Sequence, residues 1–199
     1  MMTISDTSLT LLASLRDPAD NDAWRRFDQR YRHLLVQFAQ RVGLDHHEAD
    51  EVAQQTLIAF SQAHRTGSYD RGKGKFRNWL LGIAQHKIAD WCADRKKYPT
   101  PIGSPQATGR TFSSLNDPGR ISAIWDREWE AFVMTECFRM AKTQFTQRDF
   151  RVFERLTLEQ EKVEPVASDL GMSREAVRQI RHRVLRYMRS VREELENAW

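Results

Sequence analysis

Histidine and carboxylate side chains crowd one short stretch of this chain: His46, His47, Asp50 and Glu51, each histidine with a carboxylate four residues on. These residue types ligate metals, but zinc sites add a distant third ligand and no such ligand stands out in the sequence. Acidic residues also favour the positive end of a helix dipole. A polar helix surface is therefore the better reading, and no metal or other cofactor is expected. Nucleophile elbow, phosphate-cradling loop and HExxH pair are all missing from the sequence. Cys92 and Cys137 are far apart, match no zinc spacing, and Cys92 sits among helix-core residues where a thiol packs rather than reacts. No catalytic residue is assigned, and the chain is not expected to be an enzyme.

A different chemistry, the binding of a polyanion, is written between Val163 and Arg192. Val166, Ala167, Leu170, Met172, Val177, Ile180, Val184 and Met188 recur at helical spacing, so one buried face runs through two consecutive helices. Gly171 sits where the first must stop, because glycine enters the left-handed cap without steric cost. Ser173 is placed to cap the second. The opposite face carries Arg174, Glu175, Arg178, Gln179, Arg181, His182, Arg183 and Arg186. An isolated charge run is usually a solvated face; one that follows a correctly spaced turn suits a DNA major groove. Arg174, Glu175, Arg178 and Gln179, near the helix start, are placed for base edges. Arg181, His182, Arg183 and Arg186 are placed for phosphates, which add affinity but little sequence information.

A second basic cluster comprises Arg65, Tyr69, Arg71, Lys73 and Lys75, followed by Arg77, Asn78, Gln85, His86 and Lys87. Alone, such a loop is more often a solubilising connection. Cations interleaved with an aromatic ring also suit an unpaired strand, where stacking contributes about 1–3 kcal/mol per base. Trp79 and Trp91 read as core residues.

The elements that must position these clusters are helical throughout. A short amphipathic segment spans roughly residues 5–15. The stripe of Trp24, Phe27, Tyr31, Leu34, Leu35, Phe38 and Val42 forms a long helix stopped by Gly43. Asp45 with Glu48 is a capping-box pair opening the next helix, with Ala49, Val52, Ala53, Leu57 and Phe60 inside, which ends by Gly67. A further helix from about Phe76 to Lys96 should bury Leu80, Ile83, Ala84, Ile88 and Trp91. Four X-Pro pairs then break the helical pattern between Tyr98 and Gly119. Beyond them, a helix anchored by Trp125, Trp129, Phe132 and Val133 leads to a cap at Thr146 and Asp149. The expectation is an all-α fold of two small helical domains, residues 1–97 and 121–199, joined by a flexible linker over 98–120.

The bulk numbers agree with this organisation. At 199 residues, 40% hydrophobic and 29% charged, the chain is ordinary for a globular protein. A net charge of +4 and a pI near 9.3 lean toward a polyanionic partner. No apolar run approaches the roughly 18 residues of a membrane span, and the start lacks a signal-peptide pattern. A cytoplasmic setting without membrane insertion is expected.

Three motifs in order resemble the extracytoplasmic-function (ECF) group of bacterial sigma factors. Residues 49–57, ADEVAQQTL, resemble that family's acidic "AEDVVQE-F" segment of region 2, and residues 76–84, FRNWLLGIA, its "FRAWLYRIA" segment. Residues 167–173, ASDLGMS, with Val177 and Ile180, resemble the helix–turn–helix of region 4. The Trp-rich stretch from Ile124 to Glu130 is similar to versions common in planctomycete-type bacteria. The resemblance implies a transcription-initiation subunit whose partners are core RNA polymerase, through its β′ clamp helices and β flap, and promoter DNA. It also leaves a place for an anti-sigma factor. Carried over, Asp50, Glu51, Gln54 and Leu57 would meet the clamp helices. The stretch His64–Lys75 with the following helix would open the −10 element, and the helix from Arg174 would read the −35 element. Gln55 stands where the family has glutamate, Glu164-Pro165 replaces "YEEIA", and Gly82-Ile83 replaces the paired tryptophans that housekeeping members use for melting. The rival reading is a two-domain helix–turn–helix regulator that binds DNA without polymerase; it leaves the acidic ridge and basic loop unused.

Overall fold

The computed structural model describes residues 8–197 except Arg16, Pro18, residues 69–71, Lys73 and residues 98–116. Its described residues form eight helices and no strand: α1 (Ser8–Ser14), α2 (Asn21–Val42), α3 (His46–Arg65), α4 (Phe76–Lys97), α5 (Pro118–Gln144), α6 (Gln147–Thr157), α7 (Val163–Asp169) and α8 (Arg174–Asn197). The fold is all-α, as expected from the helical spacing. Most of the expected linker lies outside the described residues.

Contacts divide the chain into two units, Ser8–Phe132 and from Val133 onward. In the first, α3 packs against both α2 and α4. Phe27 and Phe60 stack with centroids 4.4 Å apart, and Phe76 meets Tyr31 edge-on at 5.5 Å. Such pairs add about 0.5–1.5 kcal/mol beyond the area they bury. α1 closes one side with Leu11, Leu12 and Leu15, all buried. The helix ends follow local chemistry. The Asp20 carboxylate accepts from the Ala23 N–H at 2.8 Å to start α2. Gly43, at φ 121°, ends it by donating to the carbonyls of Ala39 and Gln40. The capping box at α3 is complete: Asp45 accepts from the Glu48 N–H at 2.9 Å, and Glu48 accepts from the Asp45 N–H at 2.8 Å.

Along α4 the buried row is Phe76, Leu80, Ala84, Ile88 and Cys92, spaced by four. Ile83 and Trp91, expected in that core, are only half-buried. Each lies three residues beyond a core position, which places it on the flank of the stripe.

The second unit is built from the end of α5 with α6, α7 and α8. Thr146 caps α6 through the Asp149 N–H at 3.1 Å. Gly171 takes φ +58°, the left-handed conformation its place at the end of α7 requires. Ser173 caps α8, accepting from the Ala176 N–H at 3.1 Å. Val177, Ile180, Val184 and Met188 are buried. Leu170 and Met172 are half-buried because they flank the turn rather than lie under a helix.

One assignment is corrected. Trp125, Trp129 and Phe132 were expected to anchor the second domain, yet all belong to the first unit. Trp125 meets Phe38 edge-on at 5.0 Å, and Phe132 lies 5.2 Å from Tyr31. Periodicity identifies the apolar face of a helix but not the surface that face will cover. The first unit therefore includes the opening turns of α5, and the division falls between Phe132 and Val133.

Candidate binding surfaces

On α3, the core face carries Ala49, Val52, Ala53, Thr56 and Phe60, and the outer face carries Asp50, Glu51 and Gln54, all exposed. Leu57, expected beside them, is buried at 8% exposure; Ile58 is the exposed apolar residue at 50%. The burial agrees with the helical spacing that puts Leu57 on the inner row. Leu57 turns inward one residue after Thr56, while Ile58 lies four residues beyond Gln54 on the outer ridge. The ridge is held locally. Arg32 reaches from α2 to Asp50 at 3.3 Å while gripping Asp28 at 2.8 Å. Hydrogen bonding to Asp28 is the main reason the Arg32 guanidinium is held above its ordinary pKa, against the opposing effect of its own burial. Gln55 donates to Glu51 at 3.0 Å. His46 and His47 are exposed, and His46 Nδ1 lies 3.1 Å from the Gln40 amide. Among the described residues no three His, Cys, Asp or Glu side chains are grouped to hold a metal ion.

The second cluster is partly on the page. Tyr69, Arg71 and Lys73 lie outside the described residues. Arg65, Lys75, Asn78 and His86 are exposed, Gln85 is half-buried, and Lys87 pairs with Asp90 at 3.6 Å. Arg77 differs from the others. It is ion-paired with Asp126 of α5, and its guanidinium carbon lies 5.7 Å from the centroid of the Trp129 ring.

On α8, Arg174, Glu175, Arg178, Gln179, Arg181, His182, Arg183 and Arg186 are all exposed on the side away from the buried row. Their partners differ. Arg174 pairs with Glu164 at 3.6 Å, Arg183 with Asp149 at 2.9 Å, Gln179 donates to Glu175, and Arg186 approaches the His182 ring at 3.3 Å. Arg178 and Arg181 make no ion pair among the described residues. Beneath the turn, α6 acts as a platform. Arg155 binds Glu161 through two nitrogens, at 2.8 and 2.6 Å, and Asp169 at 2.8 Å. These two carboxylates bracket α7. Arg148 donates to the Leu170 carbonyl in the turn.

Residues 27–98, from the first turns of α2 to just past α4, match the family model for sigma-70 region 2. That stretch of the chain is similar to sigma-70 region 2. No curated protein matches the chain. The matched span contains both the acidic ridge of α3 and the start of α4. No helix among the described residues is long and apolar enough to cross a membrane.

Several residues that shape these surfaces were missed in the sequence. Arg32, Asp126 and Arg155 each act on a partner beyond one helical turn, as does Asp149, which the sequence marks only as part of a cap. Ile58 had a signal: it follows Glu51 by seven residues and Gln54 by four, the spacing of one helix face.

Proposed function

We propose that this protein is a sigma-70 family member of the ECF type, a sigma factor that directs promoter-specific initiation through surfaces on both units. The observation that carries the reading is the exposed Asp50–Glu51–Gln54 ridge within the region 2 match, extended by Ile58. An acidic–amide ridge with one apolar side chain suits a basic partner helix, steering encounter and fixing register. The resemblance gives that partner as the clamp helices of polymerase β′, with Ile58 rather than Leu57 supplying the apolar contact. Arg65, Lys75, Arg77 and Asn78 then face an unpaired −10 strand. α7, the Gly171 turn and α8 form the helix–turn–helix for the −35 duplex, with Arg178 and Gln179 toward base edges and Arg181 and Arg186 toward phosphates. The groove lined by Lys142, Arg148, Arg151, Phe150 and Leu170 is a seat for the β flap. Such a factor works in the cytoplasm, where polymerase and DNA meet.

The test is reconstitution. The purified chain should bind core RNA polymerase and support transcription from the promoters mapped after its induced expression. Asp50→Lys with Glu51→Lys should abolish polymerase binding while leaving duplex DNA binding intact. DNA binding without any stable association with core would refute the proposal and favour the stand-alone regulator.

A further inference from the structure

We infer that the first turns of α5 are a latch on region 2 that withholds Arg77 from nucleic acid in the free protein. The inference rests on the proposed function, because it takes Arg77 as one of the strand contacts. Three observations combine. Asp126 and Trp129, three residues apart on α5 and so on one face, engage Arg77 as an ion pair and a ring contact. Glu128, at 11% side-chain exposure, takes Arg41 of α2 at 3.2 Å, so the same turns grip a second helix. Yet the contact is incompletely satisfied: the indole Nε1 atoms of Trp125 and Trp129 are buried without an acceptor. A buried donor without a partner is a standing cost. A segment that gains ion pairs but leaves two donors unpaired is held less firmly than its buried rings suggest.

The latch lies wholly outside the residues that match region 2. It is this chain's own segment, acting on a residue at the start of α4. Release exchanges a phosphate for Asp126, whose side chain is 59% exposed. That is an exchange of one anion for another at the same guanidinium. The nucleic acid and the latch therefore compete directly, and strand binding by the first unit is damped until the competition is won.

The experiment uses the full chain and a short fluorescein-labelled single-stranded DNA, with affinity read by anisotropy across a salt series. Asp126→Asn should tighten binding up to about five-fold, the most that breaking an exposed ion pair releases. It should also steepen the dependence of log affinity on log salt by about 0.7, one single-strand phosphate contact. Trp129→Leu should act in the same direction through the lost ring contact. In an Arg77→Ala background, Asp126→Asn should change neither quantity. Unchanged affinity in Asp126→Asn, or a gain that persists without Arg77, overturns the latch while leaving the nucleic-acid reading in place. Failure of every form to bind the strand overturns both.

Discussion

Two glycines of this chain should respond to the same substitution with opposite sign. Gly171 sits at φ +58°, and a Cβ built there meets nothing within 4 Å. Alanine at that position therefore suffers no clash, only the left-handed backbone, which costs an L-residue roughly 1–2 kcal/mol. Lower entropy of the unfolded chain returns about 0.4–1 kcal/mol, leaving a net loss near 1 kcal/mol. Gly82 lies inside α4 without a positive φ, and its Cβ also meets nothing within 4 Å. Alanine there should gain about 0.5–1 kcal/mol, the usual helix-interior difference. Thermal unfolding separates the two. Five of the six tryptophans, Trp24, Trp79, Trp91, Trp125 and Trp129, fall in the first unit, so fluorescence reports mainly that unit, while circular dichroism reports all the helices. Gly82→Ala should raise the fluorescence midpoint by a few degrees. Gly171→Ala should lower the transition of the smaller unit by about 4–8 °C, and Gly171→Asn by less, because asparagine tolerates the left-handed region. A stabilising Gly171→Ala, or a destabilising Gly82→Ala, would refute the assignment of cost to backbone conformation.

Other outcomes follow from individual contacts. Asp45→Ala removes the cap of α3 and should destabilise the first unit by about 1 kcal/mol in urea unfolding. The Glu161 carboxyl is held below its ordinary pKa by hydrogen bonding to Arg155. Its contribution is therefore complete above the unfolded carboxylate value of about 4.3 and is lost as pH falls through the lower folded value. Glu161→Gln should flatten the acid limb of the second unit's stability profile. Burial pushes the Cys137 thiol up to about 11, aided by Glu136 and Glu196 and opposed by Arg192. Cys137 should thus resist iodoacetamide at neutral pH in the native protein and react once urea unfolds it.

Local chemistry was legible in the sequence. Asp45 and Glu48 are three residues apart, Gly43 follows α2 directly, Gly171 lies two residues past α7, and Ser173 precedes α8; each ending is decided within one turn of chain. Phase was less legible. Leu57 lies on the inner row that helical spacing predicts, but the half-burial of Ile83 and Trp91 on α4 does not follow from spacing alone. Thr56 belongs to the α3 core despite its hydroxyl, which donates back to the Val52 carbonyl at 2.7 Å. Partnership was not legible. Arg32 with Asp50, Arg183 with Asp149 and Arg77 with Asp126 join residues 18, 34 and 49 positions apart. No helical period links such pairs, so residues named from charge alone included several cations that already hold an anion.

That distinction changes what the positive charge of the second unit means. Arg183 is 57% exposed and bound to Asp149, and Arg174 is 67% exposed and bound to Glu164. Exposed pairs of this kind contribute about 0.2–1 kcal/mol, so a phosphate can displace either carboxylate at little cost. Both arginines are thus a reserve beside Arg178 and Arg181, which hold no ion pair among the described residues. Arg155 is the contrary case. At 13% exposure, and gripping two carboxylates that bracket α7, it is largely covered and already paired twice. Exposure and partner number, rather than residue type, separate the arginines that hold the turn in place from those the turn presents.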